Sequence, residues 1–179
     1  MEALLNKILA EAIDLFFVED LNSILDDVNE RNLCGRLTIY LNDKVRENDI
    51  IGYYVDPEYN RMQDGRVKTI LDEEYVVSNI NCDLILHSRG GIIAQDNLLA
   101  IEMKKSNRPE EDKNNDRKRL RALTKESYDD IWSADGVTLP EHVCGYIFGI
   151  YMELNIGRRT CLFEYYRNGN KAAEWNQTF

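Results

Sequence analysis

An acid and an amine interrupt the apolar run that begins at Leu98, where Glu102 and Lys104 stand two residues apart. Successive side chains of a β-strand point to opposite faces, so a strand here places these two on one face. A further acid, Asp83, stands near the start of another apolar run, Cys82 to His87. If the two runs pair as neighbouring strands, Asp83, Glu102 and Lys104 converge on one face of a sheet.

This combination of side chains has a specific chemistry. Two carboxylates held close together repel each other, and each tends to stay protonated. A divalent cation relieves the repulsion, and carboxylate oxygens with open water positions suit Mg²⁺ or Mn²⁺. A neighbouring lysine can orient a metal-bound water or neutralise charge that builds on a phosphate during in-line attack. A Glu-x-Lys triplet alone also occurs by chance in ordinary surface strands, so the prediction depends on the apolar strands around it.

Helices are predicted on both sides of these strands in the sequence. Apolar residues recur at three- and four-residue spacing from Leu5 to Phe16, from Leu21 to Val28 and from Leu33 to Leu41. The last two stretches are compatible with one kinked helix or with two helices. A strongly charged stretch, Glu110 to Glu126, carries its few apolar residues at helical spacing as well.

Short runs rich in apolar, aromatic and β-branched residues predict five strands. These runs are Ile51 to Val55, Cys82 to His87, Leu98 to Lys104, Cys144 to Leu154 and Thr160 to Tyr166. The order is therefore helix, three strands, helix, two strands. Helices that precede and separate a few strands indicate one mixed α/β domain.

An aspartate followed by Glu-x-Lys on a neighbouring strand, after an N-terminal helix, resembles the PD-(D/E)xK nuclease superfamily, which includes restriction endonucleases and Holliday junction resolvases. The resemblance extends over roughly residues 30–166, and Cys82 stands where the family pattern has proline. It implies an α/β fold with a restriction-endonuclease-like core, a mixed central β-sheet flanked by helices in the order αβββαβ. We expect one domain over residues 1–179, with an extra N-terminal helix in a helical region, residues 1–45, packed on it.

The same resemblance implies roles for individual residues. Asp83 and Glu102 would hold Mg²⁺ or Mn²⁺, with the backbone carbonyl of Met103 as a further ligand. Lys104 would position the attacking water. Many members of the superfamily also place a catalytic glutamate on the first helix, facing the metal site, and Glu30 is the candidate here.

Glu30 is preferred because it is in helical phase with the apolar residues from Leu33 to Leu41. An acid aimed along the core-facing side of a helix is unusual unless it has a partner. The rival acids are Glu19, Asp26 and Asp27. The alternative interpretation is an acid near a helix N-terminus that is stabilised by the helix dipole.

Basic residues cluster directly after the Glu-x-Lys motif. The segment from Lys104 to Lys125 has nine Lys or Arg and four Asp or Glu, a net charge of +5 in a chain whose net charge is −10. A basic surface beside the proposed site suits a phosphate backbone, although a solvated helix with internal ion pairs has the same composition. The candidate nucleic-acid contacts are Lys105, Arg108, Arg117, Arg121, Asn60 and Arg61.

Composition excludes several other classes of protein. The 179 residues are 44% hydrophobic and 30% charged, which is typical of a globular domain. No apolar run approaches the ~20 residues of a membrane helix, and Glu11 and Asp14 interrupt the first apolar stretch, unlike a secretory signal. The four cysteines lack the spacing of a zinc site. We therefore expect a cytoplasmic protein with core thiols in a reducing compartment and no membrane partner.

These features together predict a metal-dependent nuclease, a phosphodiesterase acting as an endonuclease, that hydrolyses DNA or RNA with a metal-activated water. An alternative is a catalytically inactive nuclease-like fold that serves as a nucleic-acid- or protein-binding scaffold. A plain protein-interaction domain would also suit the acidic body of the chain. The small size leaves specificity to nucleic-acid structure, to a partner or to a homodimer.

Overall fold

The computed structural model describes residues 1–59, 69–71, 77–79, 82–126 and 143–179. Within these residues the helices are α1 (Glu2–Glu19), α2 (Leu21–Leu25), α3 (Glu30–Glu47) and α4 (Glu110–Leu123). The strands are β1 (Tyr54–Pro57), β2 (Thr69–Leu71), β3 (Val77–Asn79), β4 (Leu84–His87), β5 (Asn97–Lys105), β6 (Phe148–Asn155), β7 (Thr160–Arg167) and β8 (Asn170–Thr178). A short 3₁₀ helix, Ile93–Gln95, precedes β5.

The main sheet has six strands in the order β1-β4-β5-β6-β7-β8, and β2 and β3 form a separate hairpin. Strands β5 and β6 are parallel, whereas the other neighbours in the main sheet are antiparallel. A parallel pair needs a long crossover connection, and helix α4 lies in the connection between β5 and β6. The predicted α/β class and mixed sheet are therefore confirmed.

Helices cover both faces of the sheet because the inner strands are apolar on both sides. On β5, Ile101 and Met103 belong to the core beneath α1 and α3. Ala100 belongs to a second core beneath α4, together with Leu120 and Leu123 of that helix. Strand β5 is buried along almost its whole length, so a charged side chain on it must find its partner inside the protein.

The second and third predicted helical stretches are two helices. Asp27, with φ 59°, lies between α2 and α3. The side chain of Asn29 caps α3 by accepting a hydrogen bond from the backbone N–H of Asn32 at 2.8 Å. Glu30 is consequently the first residue of α3, one turn before the apolar residue Leu33.

Strand β8 is, like β2 and β3, an element that is not among the five predicted strands. All but one of its side chains are exposed, so its sequence carries no buried face. Backbone pairing with β7 holds it, and Trp175 stacks on Phe163 with 5.1 Å between ring centroids. Four of the five predicted strand starts also differ. β4 begins at Leu84 rather than Cys82 and β5 at Asn97 rather than Leu98, whereas β1 begins at Tyr54, after a turn in which Gly52 has φ 85°, and β6 begins at Phe148 rather than Cys144.

The four cysteines are buried free thiols, which confirms them as core residues. Among the described residues, none of the helices combines the length and apolar character that crossing a bilayer requires.

Candidate active site

The site forms at the N-terminal end of β4, where β5 extends beyond its pairing with β4. The antiparallel register places Leu84 opposite Ile101, so Asp83, which precedes β4, lies opposite Glu102. Pairing with β4 stops at Ile101, so the next backbone N–H of β5 on the β4 side, that of Met103, has no acceptor on β4. The Asp83 side chain supplies that acceptor, because its Oδ2 accepts a hydrogen bond from the Met103 N–H at 2.8 Å.

Glu30 satisfies the next backbone group along the same edge of β5. Its Oε1 accepts from the backbone N–H of Lys105 at 2.9 Å and from Arg108 Nε at 3.0 Å. Burial alone would raise the pKa of Glu30, but these two donors outweigh it and lower that pKa. Since the N–H and C=O of a residue leave a strand on the same side, the Met103 carbonyl points to this edge, which Asp83 and Glu30 flank.

Glu102 is completely buried. Its Oε1 accepts a hydrogen bond from Arg119 Nη1 at 2.7 Å, and its Oε2 lies 3.4 Å from the backbone N of Asp83. Burial, reinforced by the Asp83 carboxylate, raises the pKa of Glu102 well above its usual range. Burial likewise raises the pKa of Asp83. The two neighbouring carboxyl groups, called the carboxyl pair below, therefore both resist ionisation.

Lys104 shares its face with Glu102, as alternation predicts, and turns towards helix α4. Its Nζ lies 3.0 Å from Asp116 Oδ2, and Asp116 Oδ1 also accepts from Arg119 Nη2 at 3.2 Å. Burial alone would lower the pKa of Lys104, but the Asp116 carboxylate outweighs it and raises that pKa. The ammonium is therefore held in its charged form beside the carboxyl pair.

Asp116 and Arg119 are site residues that motif reasoning does not identify. Both belong to α4 and contact Lys104 and Glu102 respectively. A usable signal does exist for Asp116, because it is in helical phase with the buried Leu120 and Leu123. The criterion of an acid on an apolar stripe, which selects Glu30, would select Asp116 as well.

Most of the predicted nucleic-acid contacts have partners within the chain. Lys105 Nζ donates to Asp27 Oδ1 at 2.6 Å, and Arg108 donates to Glu30. Arg117 donates to Glu164 and to Glu110. Arg121 donates to the carbonyl of Gly169 at 3.4 Å and lies over the Tyr166 ring. Asn60 and Arg61 lie outside the described residues.

The rival helical acids do not join the carboxyl pair in this structure. Asp27 is bound to Lys105 on the face opposite Lys104. Glu19 and Asp26 are exposed, Glu19 as the last residue of α1 and Asp26 directly after α2. Glu30 is the helical acid that reaches the same strand edge as Asp83.

The oxygen donors near this edge are of the type that a hard divalent cation prefers. They are the carboxylates of Asp83 and Glu102 and the carbonyl of Met103. In the described part of the chain, no group of three or more His, Cys, Asp and Glu side chains is placed to hold a metal ion. Two carboxylates suffice for Mg²⁺, which commonly binds one or two carboxylates and takes its remaining ligands from water and substrate phosphates.

A pocket of about 210 Å³ adjoins Asp83. Helix α3 forms one of its walls, and the end of β1 forms another. Its lining residues are Arg31, Cys34, Gly35, Pro57, Glu58 and Asp83.

No protein-family model, no curated protein and no solved structure matches the chain. The geometry of the carboxyl pair and its surroundings is therefore the basis for the functional conclusion.

Proposed function

We propose that the protein is a metal-dependent nuclease that hydrolyses phosphodiester bonds of DNA or RNA. The observation that carries this proposal is the convergence of the fully buried Glu102 and the partly buried Asp83 with a charged Lys104 on the face of β5 that carries Glu102. Each is costly on an apolar strand. A metal-assisted phosphoryl reaction uses all three groups together, whereas the contacts with Met103, Arg119 and Asp116 account for each group separately.

The arrangement of elements supports the proposal. Around the main sheet the chain runs α3-β1-β4-β5-α4-β6, which agrees with the αβββαβ order that the resemblance implies. Within that order, Asp83 directly precedes the second strand and the Glu102–Lys104 motif lies on the third, which agrees with the resemblance to the PD-(D/E)xK superfamily. The N-terminal helix α1 is an addition to this core.

Asp83, Glu102 and the Met103 carbonyl are the groups that would hold Mg²⁺ or Mn²⁺. Such a cation supplies Lewis acidity towards phosphate oxygens and lowers the pKa of bound water. Arg119 donates to Glu102 Oε1 at 2.7 Å, and the backbone N–H of Asp83 donates to Oε2 at 3.4 Å. These two donors fix the orientation of the Glu102 carboxyl, and a cation would use the remaining lone pairs of its oxygens.

Lys104 acts in this proposal as a cation and hydrogen-bond donor. Its raised pKa makes it a poor general base at neutral pH. Its ammonium would instead stabilise charge that develops on the phosphate in the transition state. Asp116 positions it by holding Nζ on the α4 side of the sheet.

A scaffold without activity is the second candidate, and one observation favours it. The cations predicted to bind the phosphate backbone, including Lys105, Arg108 and Arg117, are engaged by carboxylates of the same chain. A nucleic acid would have to compete with those partners for them.

The deciding experiment measures cleavage of single- and double-stranded DNA and RNA with Mg²⁺ or Mn²⁺. Wild type is compared with Asp83→Asn and Glu102→Gln, and Glu111→Gln serves as a matched control because Glu111 is an exposed acid on α4. We expect the first two variants to lose metal-dependent cleavage and the control to retain it. Wild-type protein that binds nucleic acid and cleaves none of these substrates would favour the scaffold.

A further inference from the structure

Arg31 is the basic residue that lines the pocket beside Asp83. The Arg31 side chain is 79% exposed, and its Nη2 lies 2.6 Å from Glu58 Oε2. Exposed ion pairs of this kind contribute little to stability. A guanidinium binds a phosphate with two parallel hydrogen bonds, so a phosphate can readily replace the Glu58 carboxylate as its partner.

Gly35 keeps the wall of the pocket open. It lies in the interior of α3, where glycine weakens a helix relative to alanine. A Cβ atom at this position would meet no atom within 4 Å, so packing does not require a glycine. Its effect is to leave empty space on the side of α3 that faces the pocket.

Glu58 is fixed relative to the carboxyl pair. Its φ of 48° lies in the left-handed region that few residues other than glycine occupy. Its backbone N–H donates to the carbonyl of Asp83 at 3.2 Å. The acidic partner of Arg31 is thus tied directly to a proposed metal ligand, and the pocket opens beside that ligand.

We propose that this pocket is a substrate subsite that receives the nucleotide next to the scissile phosphate, with Arg31 exchanging Glu58 for the phosphate of that nucleotide. The inference rests on the proposed nuclease function and extends it. The preferred substrate is then a polymer with at least one phosphodiester beyond the one that is cut. Glu58 acts as a competitor that substrate must displace.

The test compares two substrates that differ in the neighbouring phosphate. One is a fluorescent oligonucleotide, and the other is bis(p-nitrophenyl) phosphate, a small diester without a second phosphate. For the oligonucleotide we expect Arg31→Ala to raise KM about tenfold with little change in kcat, because it removes binding that ground and transition states share. We expect Glu58→Gln to lower KM severalfold. Turnover of the small diester should be unchanged in both variants.

Salt dependence gives an independent measure of the phosphate contact. Each neutralised phosphate contributes about −0.7 (single strand) or −0.9 (duplex) to the slope of log K against log salt concentration. Arg31→Ala should reduce the slope of oligonucleotide binding by about that amount, as measured by fluorescence anisotropy in EDTA. Arg46→Ala is the matched control, because Arg46 is an exposed arginine in the last turn of the same helix. It should leave the slope unchanged.

Gly35→Leu fills the pocket from α3 and should raise KM for the oligonucleotide alone, with an unchanged or higher Tm. If Gly35→Leu fails to fold, the measurements on Arg31→Ala and Glu58→Gln decide whether the pocket is a substrate subsite. An Arg31→Ala slope equal to that of wild type, or weaker binding by Glu58→Gln, would overturn the subsite even if wild type cleaves normally. Wild-type protein that neither cleaves nor binds the oligonucleotide would overturn the nuclease proposal together with the subsite.

Discussion

The environment of Lys104 restricts the part that its side chain can play in catalysis. Asp116 holds its ammonium at 3.0 Å, and its raised pKa keeps it charged at neutral pH. Lysine in its charged form is not a metal ligand, so its contributions to catalysis and to metal binding are separable.

Lys104→Ala should therefore lower kcat by roughly two to three orders of magnitude, the loss typical of one preorganised electrostatic donor. Metal affinity measured by calorimetry should stay close to that of wild type. Lys118→Ala is the control, since Lys118 is an exposed lysine of α4. If Lys104→Ala cleaves as fast as wild type, the proposed role of the ammonium is wrong.

The ionised Asp83 that metal binding requires lowers the stability of the metal-free protein. Its raised pKa means that the folded protein binds more protons than the unfolded chain between the ordinary carboxyl pKa of about 4 and the raised value. In the metal-free protein, the stability that this group contributes consequently falls as pH rises through that window.

Asp83→Asn removes the charge and keeps an oxygen that can accept from Met103. Without metal, we expect its free energy of unfolding to rise relative to that of wild type as pH increases from 5 to 8. Urea unfolding at both pH values measures this, with Asp112→Asn, an exposed acid on α4, as the control. A difference that shrinks with pH would show that Asp83 does not carry the elevated pKa.

At the scale of elements, helix α4 is a structural partner of β5 as well as a basic surface. Arg119 reaches across to the fully buried Glu102 at 2.7 Å and is held there by Asp116. Removing one member of a buried ion pair leaves an uncompensated charge, which is more costly than replacing both members.

Arg119→Ala should lower the free energy of unfolding by about 3 kcal/mol and weaken metal binding, because Glu102 then stays protonated to higher pH. The double variant Arg119→Ala with Glu102→Gln should recover part of that loss in urea unfolding. A double variant that is less stable than both single variants would mean that the two residues do not act as a pair.

Strand β8 offers a test that separates stability from the site. Trp175 is 40% exposed and stacks on Phe163, and β8 is the outermost strand on the β7 side of the main sheet. Trp175→Ala should cost about 1–2 kcal/mol of stability and leave metal affinity unchanged. A parallel loss of metal affinity would indicate that the edge of the sheet is coupled to the carboxyl pair.

At the scale of the whole molecule, metal binding is linked to protons and to folding. The pKa values of Asp83 and Glu102 are both raised, so a cation must displace a proton from the pair below those values. A ligand that binds only the folded state stabilises it by about 2.7 kcal/mol at 100 times its Kd.

Mg²⁺ should accordingly raise the Tm of wild type more at pH 8 than at pH 5.5, and calorimetry in buffers of different ionisation enthalpy should detect released protons. Asp83→Asn should abolish both effects. Equal Mg²⁺ stabilisation of wild type and Asp83→Asn would place any metal elsewhere in the protein.

The sequence by itself determines the local geometry of the site. Alternation along β5 is sufficient to place Glu102 and Lys104 on one face, because the period of a strand is fixed by its backbone. The apolar run after Asp83 is sufficient to predict β4, because buried strands exclude charge. The phase of Glu30 on α3 is likewise a local property of the helix.

The tertiary structure decides which charges meet. Lys105 pairs with Asp27 and Lys104 with Asp116, although the two lysines are neighbours, because alternation sends them to opposite faces covered by different helices. The partners come from chain segments far apart in sequence, which periodicity cannot relate. Strand β8 also depends on tertiary structure, because pairing with β7 through backbone hydrogen bonds imposes no pattern on exposed side chains.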